Sequence, residues 1–140
     1  MNKKLILFST IIYSITIFPI TALWHVGLFH DLYLEFGYFN QEETLLAGIA
    51  GLINIFVQGF ILAILYSKSQ FNGTHIVQGL KFSGLIFVFY FTLQVVNFVV
   101  RKEINNIPFF ILMEILYMLI QFSVYGILMG ILYGKTNYKA

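Results

Sequence analysis

The chain has 140 residues, of which 59% are hydrophobic, 19% aromatic and 10% charged. Soluble domains carry about 25% charged residues, so the composition points to a membrane protein. The absence of cysteine excludes disulfides, thiol catalysis, cysteine-zinc sites and iron–sulfur ligation, and a net charge of +2 is too small to suggest nucleic-acid binding.

A helix that crosses a bilayer needs about 20 mostly apolar residues. Four runs meet this, at about 5–28, 44–67, 79–100 and 107–134. Lipid offers the backbone no hydrogen bonds and the runs lack alternating polarity, so they are expected to be helices. The fold expected is a single all-α domain, an integral membrane four-helix bundle.

The first run carries no Lys, Arg, Asp or Glu and follows Lys3 and Lys4. It is too long for a typical signal peptide and no A-x-A-like site follows it, so it is expected to remain as helix 1. Next comes an aromatic and acidic stretch, Trp24 to Glu43, which is expected at the outer membrane surface because Trp and Tyr favour the interface. It reads equally as an interfacial loop or as a continuation of helix 1, which Pro19 would kink. Helix 2 places Ala47, Gly51, Asn54 and Gln58 on one stripe, and helix 3 places Gly79, Ser83, Tyr90, Gln94, Asn97 and Arg101 on another. Helix 4 carries Glu114, Tyr117, Gln121 and Tyr125 on one stripe and Gly126, Gly130 and Gly134 on another.

Orientation follows from the basic residues. Lys3, Lys4, Lys68, Lys81, Lys135 and Lys139 would lie on one side, and only Arg101 and Lys102 on the other. Both termini are thus expected in the cytoplasm. Asp31, Glu35, Glu42, Glu43 and Glu103 fall on the opposite, external side.

Glu114 is the only acid inside an apolar run. An ionisable group in hydrocarbon is expensive and needs a partner, a cavity or water. The orientation puts Glu114 with Asn54, Gln94, Asn97, Arg101 and His25 in the outer half of the bundle. Tyr90, Tyr117 and Gln121 lie on the same stripes. The expectation is a polar pocket formed by these nine residues that binds a small or amphipathic ligand, with Glu114 as anchor. Carboxamides also serve simply as glue between helices, which gives a structural reading of the same stripes. Arg101 is a candidate ion-pair partner for Glu114; His25 is a candidate acid/base partner. The second would suit an intramembrane enzyme acting on a lipid-like substrate. A proton-coupled transporter is a further variant that would require a dimer.

The repeated G-x-x-x-G spacing of Gly126, Gly130 and Gly134 suits close helix approach, either inside the bundle or in a homodimer. His25, His30 and Asp31 match no recognised metal motif, and no cofactor is expected. Phosphate loops, nucleophile elbows and catalytic histidine arrays are missing; a non-enzymatic role leads.

The segments Leu23–Tyr33 (LWHVGLFHDLY) and Gly37–Glu43 (GYFNQEE), with Gln78–Phe82 (QGLKF) and Gln121–Phe122, resemble a group of small bacterial four-helix membrane proteins. The resemblance covers most of the chain. It implies an inner-membrane location and carries no chemistry. The small multidrug transporters differ, since they place their essential carboxylate in the first helix.

Overall fold

A computed structural model describes residues 3–39 and 45–135. Every element among the described residues is helical. Helix α1 spans Lys3–Ala22 and continues through a wide π-helical turn, Leu23–Leu28, in which Phe29 N reaches back five residues to Trp24 O (3.1 Å). The short α2, His30–Glu35, then turns back over the end of the bundle. Helix α3 is Leu45–Lys68. Helix α4, His75–Tyr90, passes through a second π-helical turn, Phe91–Val96, into α5, Asn97–Arg101. Helix α6 is Ile107–Lys135. Four stretches are long and apolar enough to cross a membrane: Lys3–Leu28, Gly48–Lys68, His75–Arg101 and Ile107–Lys135.

The first span ends at Leu28, where the sequence reading put it, and the chain stays helical through Pro19. One boundary differs from that reading. The third span begins at His75, four residues before the expected start, because Thr74 caps it by accepting from Val77 N (3.5 Å). Gly79 therefore lies inside a helix. The external acids Glu42 and Glu43 lie outside the described residues.

The packing follows from small residues and aromatics. Helix α3 packs on α1, α1 on α6, and α6 on α4. At α4–α6 the backbones come together where side chains are missing: a Cβ on Gly79 would collide with the Gly126 backbone, and one on Gly130 with that of His75 and Ile76. The glycine stripe of α6 is thus consumed within the chain rather than offered to a second copy. At α1–α3, Gly59 instead makes room for a side chain, since a Cβ there would collide with the Tyr13 ring. Tyr13 is fully buried and meets Tyr125 edge-on at 5.0 Å. Helices α3 and α4, the outer pair, meet through the Tyr66 and Phe82 rings (5.1 Å) near the end that holds the first and last described residues. At the other end α3 runs exposed from Gly48 to Ile53, which leaves room between it and its neighbours.

Three contacts hold α2 over that end. Asn105 N donates to Phe36 O (3.2 Å), and Asn105 Nδ2 to Glu35 O (2.9 Å). Phe36 packs on Phe109 and Phe110. Gly37 sits at φ 77 and Asn106 at φ 53, the left-handed region that glycine and asparagine tolerate best.

Candidate functional site: a carboxyl, an imidazole and a ring of tyrosines

Glu114 lies in the second turn of α6 and is 7% exposed. Its Oε1 accepts from the Tyr33 hydroxyl (2.7 Å) and lies 3.2 Å from His25 Nε2. The Tyr33 oxygen in turn accepts from Trp24 Nε1 (3.0 Å). His25 Nδ1 lies 3.2 Å from the Thr21 carbonyl, one turn back on α1. Tyr117 and Thr21 share a hydrogen bond of 2.6 Å beside this pair. Three tyrosines enclose the imidazole: Tyr33 at 4.5 Å and Tyr117 at 4.6 Å approach edge-on, while Tyr38 stacks at 5.5 Å.

The chemistry of this chain of bonds is constrained. A carbonyl can only accept, so the Thr21 contact assigns a proton to His25 Nδ1. A neutral imidazole then has a bare Nε2. The short Nε2–Oε1 contact requires one further proton, on His25 or on Glu114. The pair therefore shares one proton, with Tyr33 as a fixed donor to the same carboxyl oxygen. Burial pushes the Tyr33 phenol above its ordinary range, and the charge of Glu114 and the hydrogen bond to it push the same way. Tyr33 consequently stays protonated and keeps donating. Glu114 Oε2 has no hydrogen-bond partner among the described residues.

Glu114 lines two adjoining openings. An inner cavity of about 300 Å³ is lined by His25, Tyr38, Asn54, Gln58, Tyr90, Gln94, Tyr117 and Gln121 with Glu114. A mouth of about 470 Å³ is lined by Tyr38, Gln94, Asn97, Arg101 and Lys102 with Glu114. A third, apolar cleft of about 330 Å³ runs between α1 and α3 and shares Thr21, His25, Tyr38, Gly51 and Ile55 with the inner cavity. Tyr38 borders all three spaces. No family model, curated protein or solved structure matches the chain.

The nine residues singled out from the sequence thus occupy the walls of two connected spaces. They are not equally enclosed. His25, Glu114, Tyr117 and Gln121 are buried and Tyr90 is half-buried, whereas Asn54, Gln94, Asn97 and Arg101 are exposed on the walls contributed by α3, the second π-helical turn and α5. The Arg101–Glu114 ion pair does not form. Arg101 stays at the exposed end of α5, and His25 and Tyr33 already hold the carboxyl. Tyr33, Tyr38, Trp24 and Thr21 were not singled out by sequence. Tyr33 and Tyr38 belong to a segment without helical periodicity whose path is set by contacts with Glu103–Phe110. The i, i+4 spacing of Thr21 and His25 is the one signal in the sequence that connects these residues.

Both π-helical turns border the site, with His25 in one and Gln94 in the other. An extra residue in a turn rotates the following side chains, and such turns recur at functional sites.

Proposed function

We propose that the protein is a multi-pass membrane protein that binds a small or amphipathic ligand in the central cavity, with Glu114 as the polar anchor. The observation that carries this reading is the half-satisfied carboxyl. One oxygen of Glu114 is clamped by His25 and Tyr33, while the other has no partner among the described residues, in a residue that borders two openings. The basic residues favour an orientation with both termini in the cytoplasm and the α2 end outside. The resemblance to small bacterial four-helix proteins favours an inner membrane.

Native mass spectrometry of protein released from its membrane tests the reading. The wild type should retain a bound small molecule. Glu114→Gln should lose it while remaining folded, because an amide oxygen in the place of Oε1 still accepts from Tyr33. Equal retention by both proteins would refute the anchor role.

The His25–Glu114 contact favours a second reading, an intramembrane acid/base enzyme on a lipid-like substrate, because a shared proton between two oriented groups is what proton transfer requires. Under that reading the wild type converts the molecule that Glu114→Gln merely retains.

A further inference from the structure

Beside Glu114, the inner cavity holds a second unsatisfied acceptor. Gln121 is 5% exposed, lines the cavity, and its Oε1 has no hydrogen-bond partner among the described residues. The Tyr13 hydroxyl donates to Gln58 Oε1 (3.3 Å) and lies beside Gln121, so its oxygen is available to the Gln121 NH2 and the Gln121 carbonyl is left over. Buried carbonyls are seldom left without a donor.

Glu114 and Gln121 are two turns apart on α6, about 10 Å along the axis at 1.5 Å per residue. A lone ammonium or a lone hydroxyl cannot reach both. A head with several hydroxyls can. No Lys or Arg lines the inner cavity, and both basic residues of the site, Arg101 and Lys102, belong to the outer mouth. An anionic head is therefore disfavoured at depth. The apolar cleft between α1 and α3 opens directly from the cavity past His25 and Tyr38, bounded by Phe18, Val26 and Leu52. Its volume is at the small end for ligand sites and suits one hydrocarbon chain better than two.

We infer that the ligand is a single-chain lipid with an uncharged polyol head, the hydroxyls donating to Glu114 Oε2 and Gln121 Oε1 and the chain lying in the α1–α3 cleft. This rests on the proposed ligand-binding reading and adds the chemical class.

Trp24, the only tryptophan, packs against Tyr117 on the cavity wall and reports occupancy. The protein in phosphatidylcholine nanodiscs is titrated with three lipids that share one dibrominated chain: a monoacylglycerol, the fatty-acid methyl ester and the fatty acid. The monoacylglycerol should quench Trp24 saturably at about tenfold lower mole fraction than the methyl ester, which has no donor. Gln121→Leu should weaken the monoacylglycerol about fivefold and leave quenching by the methyl ester unchanged, because it removes the acceptor that only the hydroxyls use. Gly51→Leu should block all saturable quenching yet fold normally, since a Cβ there meets nothing within 4 Å.

Equal quenching by monoacylglycerol and methyl ester would overturn the polyol head. It would leave the ligand-binding reading in place if Glu114→Gln still lowered the quenching. Strongest quenching by the fatty acid would overturn it in favour of an anionic head at Arg101 and Lys102. Quenching that never saturates, with any of the three lipids, would sink the inference and the ligand-binding reading together.

Discussion

Tyr33 is the residue on which the Glu114 network depends most simply. It accepts from Trp24 and donates to Glu114, so Tyr33→Phe strands a donor and removes one of two bonds to a carboxyl oxygen. A bond to a charged group is worth about 1.5–3 kcal/mol, and the variant should lose stability of that order in thermal denaturation. Its Trp24 emission should shift, because Nε1 loses its protein acceptor. The raised phenol also gives a sign for alkaline conditions. A group whose folded pKa lies above its unfolded value stabilises the fold below the unfolded value, about 10 for tyrosine, and that contribution is lost as pH rises further. Wild type should therefore lose more stability above about pH 10 than Tyr33→Phe does, as read from melting temperatures across that range.

At the scale of elements, α4 and α6 make a sharp comparison available. Gly79 and Gly84 are both on α4. A Cβ on Gly79 has no room against the Gly126 backbone, whereas one on Gly84 meets nothing within 4 Å. Gly79→Ala should destabilise by about 1–3 kcal/mol, the usual penalty of overpacking. Gly84→Ala should be neutral or slightly stabilising, as alanine is the better helix former. Equal melting temperatures for the two variants would contradict the close approach of these helices. The spans themselves were readable in the sequence, because length and hydropathy alone decide whether a helix can cross a membrane. The polar stripes were readable too, because residues three and four apart must share a face. The start at His75 was missed because a threonine cap and the polar residues His75, Gln78 and Lys81 around it look like loop. The Gly126–Gly130–Gly134 stripe announced close packing but not its partner, since spacing on one helix says nothing of which neighbour it meets. The fold-back of α2 was hidden for a different reason. Its course depends on backbone angles at Gly37 and Asn106 and on bonds from Asn105, which join residues about seventy positions apart in the chain.

For the molecule as a whole, the four helices make three strong pairings and leave the α2 end of α3 apart from the rest. The connected cavity, mouth and cleft lie toward that end, as does the site's one acid–imidazole pair. The proposed orientation is testable because the chain has no cysteine. Gln70→Cys, in the connection between α3 and α4, should react with a membrane-impermeant thiol reagent only in inside-out vesicles. Glu103→Cys, between α5 and α6, should react only in right-side-out ones. The opposite pattern would invert the protein and place the mouth in the cytoplasm.

The most direct test of the central claim, that Glu114 shares a proton with His25 and faces an accessible cavity, is covalent labelling of Glu114 in lipid by a hydrophobic carbodiimide. Such reagents add to a protonated carboxyl that they can reach. The account predicts one adduct, on the peptide containing Glu114, absent from Glu114→Gln and reduced when Gly51→Leu fills the cleft. No adduct on that peptide, under conditions in which a water-soluble carbodiimide labels the exposed acids, would mean a carboxyl that is sealed or fully ionised, and either contradicts a shared proton facing an accessible cavity. The ligand-binding account would then give way to a purely structural bundle.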